Sequence, residues 1–494
     1  MIAVKNALLL GSSLIATWSV ALIVRLFLPR YLGPEKFGIL SFAETFAITC
    51  FIVLGMGIDL YIQKEIPVRP RHASEFFGGV VVARLLLSLG VFAFMAAVMR
   101  LSHRPAAVQR VVFVFGAAQV LIALNNSLAA LLHASRKVGG LSLVNIGTKL
   151  TWAAGVGLAV AAALDIPGLA AAFLAAEVLR AALLAGLVKR HLGLTLRLDW
   201  TAVRMVLVAT LPFYLNQIAN TVYGKVDVSM LSVLAGDVEV GFYGAAANLA
   251  SLSLLVSPLV SWVLLPLFSR AAARSRDEMY ALLRRAIHAV LMLVLPVSLF
   301  TGLGADVWIP GLFGASFAPA LPSLRILSPI FVFTYLAMLC AMCLLLLDRA
   351  WRVTTISLAA LAGNPLLNLL LIPIGMRLWG PGGAGAAAAT SLLVTESSVA
   401  LALTLSVGRD AFDRRSAGAL LRAAASCAAV IALDLALRSI GPIRLLVDLI
   451  AYVGLLVLLG AVRPAELLTM AQFMLRRSRH EHPTSLDEPS QITP

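Results

Sequence analysis

Five basic side chains, Arg25, Arg84, Lys149, Arg180 and Lys225, stand inside long apolar runs, where an ionised group must face a cavity or a partner. A planar guanidinium and a compact ammonium both take phosphate and carboxylate oxygens. Gathered around a hydrated, low-dielectric cavity, such cations would attract a diphosphate and acidic sugars. Carboxylates share the setting at Glu44, Asp59, Glu177, Asp227, Glu396 and Asp434. Arg180 follows Glu177 by one helical turn, so these two can instead neutralise each other. Arg25 and Arg84 lie near run ends and can reach an interface, whereas Lys149 and Lys225 lie deeper.

A second constellation lies later in the chain. Asp227 is two residues from Lys225, hence on roughly the opposite helix face, and must meet another element. Asn364 and Asn368, one turn apart, present two amide oxygens on one face, and Thr390 adds a hydroxyl. One carboxylate with neutral oxygens suits a coupling ion, Na+ or H+; the competing reading is asparagines bridging helices. No resident metal or organic cofactor is expected. Cys50, Cys340, Cys343 and Cys427 all sit in apolar surroundings, as packing residues do.

The elements that position these residues follow from composition. The chain has 494 residues, 61% hydrophobic and 13% charged, with a mean hydropathy of +0.95. Soluble domains are about 25% charged. Apolar runs of about 20 residues, without strand alternation, read as membrane-spanning helices. Fourteen such runs extend from 7–28 to 443–462. About two-thirds of the 39 Lys and Arg fall in alternate segments that include both termini, which places both ends in the cytosol. The same short clusters explain the net charge of +15 and leave no basic domain for nucleic acid. The N-terminal run lacks a cleavage site and reads as a retained first helix.

The chain divides into lobes at 1–190 and 191–408, two further helices at 409–474, and a charged, Ser/Pro/Thr-containing tail at 475–494 expected to be disordered. An internal repeat supports the two lobes. Gly33 and Gly38 link spans 1 and 2; Gly236 and Gly241 link spans 7 and 8, each 203 residues on. Six spans separate them, so the halves share one orientation, as in parallel-repeat transporters.

Arg30-Tyr31-Leu32-Gly33-Pro34-Glu35-Lys36-Phe37-Gly38 resembles the first loop of Wzx-type polysaccharide flippases, of the multidrug/oligosaccharidyl-lipid/polysaccharide (MOP) exporter superfamily. Lys225–Leu231, Val240–Ala246 and Phe313–Ala320 are similar to later family segments. The strongest match is Asn364–Pro373 followed by Gly382–Ser391, and together these cover 1–408. The resemblance implies a MATE/MOP-like all-α membrane fold, with two six-helix lobes and a cationic cavity that takes an arginine from the first helix, where Arg25 matches by position. It also implies a sodium site in the second half, with Asn368 standing where a carboxylate is expected. The fourteen-span count departs from the twelve-helix core and resembles the peptidoglycan-precursor branch.

The expected function is translocation of a polyprenyl-diphosphate-linked oligosaccharide from the inner to the outer leaflet of the bacterial plasma membrane. Membrane lipids and a polysaccharide polymerase are the implied partners. The chain is not expected to be an enzyme. An ion gradient or the membrane potential would drive transport, because no G-x4-G-K-[ST] motif is present. A cation-coupled multidrug antiporter would instead want carboxylates and aromatics in its cavity. A membrane glycan polymerase would want a large external loop, and the one between spans 7 and 8 offers only Asp237 and Glu239.

Overall fold

In hydrocarbon every backbone N–H and C=O must be satisfied within its own segment, and the chain answers with helices throughout. The computed structural model describes residues 2–459 except 68, 70, 71, 136–137, 193–197, 255–256, 409–410 and 413; side chains are described from Thr17 onward, excepting also 60, 64, 138–139, 258–262, 414–417 and 419–420. The tail at 475–494 lies outside the described residues, which contain no strand.

The first lobe comprises α1 (Ile2–Phe51), α2 (Ile58–Glu65), α3 (Ala73–Leu101), α4 (Ala106–Ala134), α5 (Val138–Ala161) and α6 (Ile166–Leu192). Spans 1 and 2 are both inside α1, joined at a corner where Gly33 takes φ 73 and ψ 172. A side chain is strained at that φ, and Pro34 follows with its φ already set for the next helix. The second lobe comprises α7 (Trp200–Tyr223), α8 (Val226–Leu234), α9 (Asp237–Ala250), α10 (Ser257–Arg274), α11 (Arg276–Leu303), α12 (Ala305–Phe313), α13 (Leu321–Leu327), α14 (Ile330–Leu346), α15 (Ala350–Trp379) and α16 (Gly383–Val407).

Among the described residues, 11 helices are long and apolar enough to cross a membrane, against the fourteen runs in the sequence. Spans 1 and 2 count once, as Thr17–Gly55. Span 8 is divided into α9 and α10 by a short 3-10 turn at Ser251–Leu254. Span 13, the helix Arg414–Ala436, is not among the eleven.

The lobes meet where the second leg of α1 crosses α9. The crossing is packed with Phe37, Phe42, Phe46, Phe242, Phe313 and Phe317, all buried. Phe317 sits edge-on to Phe37 and Phe242, with ring centroids 6.4 and 6.2 Å away.

The compact unit Met1–Ala411 holds both lobes, and Phe412–Pro494 forms a second unit. That second unit contains α17 (Arg414–Ala436) and α18 (Arg444–Leu458). Arg444 donates to Asp434 at 2.7 Å with both side chains buried, tying the hairpin.

Candidate functional site

A cavity of about 440 Å3 lies between the lobes, within the roughly 300–1,000 Å3 of small-molecule sites. Three cations line it. Arg25 and Glu44 come from the two legs of α1, with Nη2 and Oε1 3.7 Å apart. Lys149 comes from α5, its ammonium 5.1 Å from the Trp152 ring centroid. Lys225 stands at a break in span 7: α7 ends at Tyr223, and Lys225 takes a non-helical conformation (φ −131, ψ −13) before α8 begins. Neither lysine has a carboxylate within 4.0 Å among the described residues. Glu396 of α16 also lines the cavity and accepts from Tyr223 at 3.1 Å and from Thr334 at 3.3 Å.

Arg84 and Arg180 are placed differently. Arg84 does not line the cavity. It donates to the Ala123 carbonyl at 2.8 Å, Ser127 at 2.8 Å and the Gly55 carbonyl at 3.2 Å, with Asp59 at 3.9 Å. Ser127 in turn donates to Asp59. The network clamps the unwound turn at Ile52–Gly57, where Met56 and Gly57 have φ of 52° and 67°, against α4. Arg180 lies in a smaller neighbouring cavity, 3.6 Å from Glu177.

The second constellation assembles largely as the spacing suggests. Asp227 is fully buried; it accepts from Asn368 at 2.6 Å and from Tyr243 at 3.0 Å. Asn368 also donates to the Asn364 side-chain oxygen at 2.8 Å, and Asn364 reaches Thr395 at 3.4 Å. Thr390 stays outside, donating at 2.9 Å to Ala386 of its own helix. Tyr243 and Thr395 take the place it was expected to fill. The Asn368 Oδ1 is buried without a partner. Both Asp227 oxygens thus accept hydrogen bonds, the amide nitrogen of Asn368 is the end turned to Asp227, and its oxygen is the free acceptor of the cluster; no cluster of three or more His, Cys, Asp or Glu exists among the described residues for a transition metal.

On the face that the charge count assigns to the exterior, polar contacts join the two lobes. Arg104, at the α3–α4 turn, donates to both Asp237 oxygens at 3.0 and 2.9 Å, to the Ser232 carbonyl at 2.7 Å and to the Ser232 hydroxyl. Arg30 reaches the Gly311 carbonyl at 3.4 Å. The two carboxylates of the span 7–8 connection are thereby engaged in structure, since Glu239 accepts from the Gly382 and Gly385 amides at 2.5 and 3.0 Å. Sequence reasoning counted Arg104 only as a loop charge. Glu396 was visible as an in-span carboxylate, but nothing in the sequence joined it to Tyr223.

The polysaccharide biosynthesis protein family matches residues 3–272, more than half of the chain. No curated protein matches it in sequence. Among solved structures, the lipid II flippase MurJ in an inward closed conformation is similar at a TM-score of 0.67 and 14% identity, covering 94% of this chain and 100% of that one. An inward-facing multidrug resistance MATE family transporter of the MOP superfamily is similar at 0.65 and 16%, covering 80% and 97%. An outward-facing one is similar at 0.58 and 15%, covering 82% and 94%. At these identities the likeness is one of fold, and it bears out the two-lobe all-helical membrane architecture; the family match is what bears out the resemblance read from the sequence.

Proposed function

The chain belongs to the polysaccharide biosynthesis protein family, and from that premise we propose that it flips a polyprenyl-diphosphate-linked oligosaccharide from the inner to the outer leaflet of a bacterial plasma membrane. The observation that carries this reading is the pair Lys149 and Lys225, neither within 4.0 Å of a carboxylate among the described residues, on an interlobe cavity that also holds Arg25. Each ammonium at membrane depth costs about 2.5–3.5 kcal/mol on insertion scales. Two of them without carboxylate partners are held against roughly 5 kcal/mol or more, which a polyanionic headgroup would offset.

In this reading the diphosphate sits among Arg25, Lys149 and Lys225 while the lipid tail stays in the bilayer. Opening the outer face requires Arg104 to leave Asp237 and the crossing of α1 and α9 to separate. The similarity in fold to a lipid II flippase favours a lipid-linked substrate. An organic-cation antiporter is disfavoured, because the three cations of the cavity outnumber its two carboxylates, Glu44 beside Arg25 and Glu396. The Asp227–Asn364–Asn368 cluster would take Na+ or H+ and couple its gradient to the movement; Asp227 holds the charge and the orphaned Asn368 oxygen completes the approach. A polysaccharide polymerase would receive the product on the outer face.

In a strain that depends on this protein, Lys149→Gln and Lys225→Gln should each lower surface polysaccharide at least tenfold at normal protein levels. Unchanged polysaccharide in both variants, or restored efflux of a cationic dye by the wild type in an efflux-deficient strain, would overturn the reading.

A further inference from the structure

The first lobe contains a second cavity, of about 200 Å3, between α1, α5 and α6. It is contiguous with the main one, since Lys149 and Trp152 line both. Below the roughly 300–1,000 Å3 of drug-sized sites, it has room for one sugar ring rather than for a chain. Its wall combines Trp18 and Trp152 with Asn145, Glu177, Lys149 and Arg180. Indole faces take the apolar C–H face of a pyranose, while amide and carboxylate groups take its hydroxyls.

The charge of this wall is not balanced. Glu177 is the single carboxylate facing two cations, and it is already engaged by Asn125 at 2.9 Å. Arg180 approaches it only to 3.6 Å, too far for a hydrogen bond, and the Arg180 Nε is buried with no partner. A guanidinium carries five donors in a fixed fork that matches a carboxylate. Arg180 is therefore a guanidinium whose terminal nitrogens have no hydrogen-bond acceptor among the described residues, in a wall shared with Trp18 and with Trp152, whose ring carries the Lys149 ammonium 5.1 Å from its centroid. Glu177 opposes any anion alike, and what separates a sugar carboxylate from a free phosphate is the ring, which only the sugar can set against the indoles. The main cavity, with Arg25 and Lys225, suits phosphate better.

We infer that the side cavity is a subsite for one carboxylate-bearing sugar ring of the lipid-linked glycan, gripped by Arg180 while the diphosphate occupies the main cavity. The inference rests on the flippase reading and adds the class of sugar. Lys149, facing both spaces, ties the two subsites together.

The test uses the purified full chain in lipid nanodiscs, with intrinsic tryptophan fluorescence as readout and methyl glucuronide, methyl glucoside and inorganic pyrophosphate as probes. The glucuronide should saturate at millimolar concentration and bind at least tenfold more tightly than the glucoside. Arg180→Gln should remove that preference and leave pyrophosphate binding unchanged, and Lys225→Gln should do the reverse. Arg180→Lys should restore part of the glucuronide preference, which a purely structural role for Arg180 would not produce. If Arg180→Gln does not fold, Asn145→Ala should weaken the glucuronide at least threefold. Equal binding of the two glycosides, or glucuronide binding indifferent to both variants, would overturn the inference. With pyrophosphate still dependent on Lys225, the flippase reading would survive that failure. Pyrophosphate binding that ignores Lys225 would count against the flippase reading itself.

Discussion

Gly33 (φ 73, ψ 172) turns the chain from span 1 into span 2, and Gly236 (φ 89, ψ 175) turns it from span 7 into span 8. Five residues beyond each corner, the glycines Gly38 and Gly241 lie against the opposite corner. A Cβ on Gly38 would fall 1.7 Å from the Asp237 carbonyl oxygen, and one on Gly241 would fall 2.0 Å from that of Pro34. Pro34 and Asp237 are themselves the residues just after each turning glycine, so the contact repeats under exchange of halves. The side chains do not. Lys36 of the first corner pairs with Asp165, at the start of α6, at 3.0 Å. Its counterpart Glu239 accepts from the amides at the start of α16. A repeated backbone geometry therefore supplies the crossing, while the charges at the two corners differ.

The most severe way to break this comparison is to give the crossing a side chain. Gly38→Val or Gly241→Val must push two backbones apart, since the clash is with carbonyl groups rather than with a flexible tip. The expected cost is about 3 kcal/mol or more, the upper range for overpacking, with loss of most folded protein by size-exclusion of the detergent extract. Gly33→Ala sharpens the contrast, because nothing lies within 4 Å of its added Cβ and only the positive φ resists. With ψ at 172 this is backbone that essentially only glycine adopts, and the strain is worth roughly 1–3 kcal/mol, a lowered melting temperature without loss of the fold. Equal tolerance at Gly33 and Gly38 would mean that the lobes do not touch as described.

Much of this frame was legible beforehand, for a physical reason. Apolar run length and the glycine spacing are local properties, and they announced helices, two lobes and equivalent corners. A repeat states which positions correspond, however, and not that they face each other; the apposition of Gly38 with Asp237 needed the fold. The Asp227, Asn364 and Asn368 cluster was legible because two amides one turn apart share a face whatever the rotation of their helix. Thr390 against Thr395 was not, since choosing between hydroxyls on α16 depends on that rotation. Arg84 and Lys149 look alike in sequence, each one charge in an apolar run. They part company because the partners of Arg84 come from α4 and from the 52–57 turn, far along the chain. The break at Gly224–Lys225 left no trace, as the apolar run passes through it.

A gentler way to sharpen the comparison acts on the seal between lobes rather than on its backbone. Arg104→Ala removes a mostly buried pair in which one guanidinium nitrogen donates to both Asp237 oxygens. Truncating one partner of such a pair costs about 2 kcal/mol or more, or roughly thirtyfold in the balance between sealed and open outer faces. Phe42, whose ring lies 4.9 Å under the Arg104 guanidinium, is the reporter. A cysteine placed there by Phe42→Cys should react with a membrane-impermeant maleimide much faster in the Arg104→Ala background. Asp237→Ala should give a similar rise and the double variant little more. Additive effects would show that the two residues act separately.

The smallest expected effect tests the diverged charges directly. Lys36 and Asp165 are each 53% exposed, and an exposed pair contributes between about 0 and 1 kcal/mol. Glu239 is partly buried and satisfies two amides at the N-terminus of α16, where loss of a capping side chain costs about 1 kcal/mol and the helix dipole adds to the preference for an anion. Lys36→Ala should therefore shift the melting temperature less than Glu239→Ala. At about 1 M salt, where screening acts within about 3 Å, the Lys36 effect should vanish and most of the Glu239 effect remain. Equal, salt-sensitive shifts would mean that Glu239 acts only as a surface charge, and that the two corners differ less than their hydrogen bonds indicate.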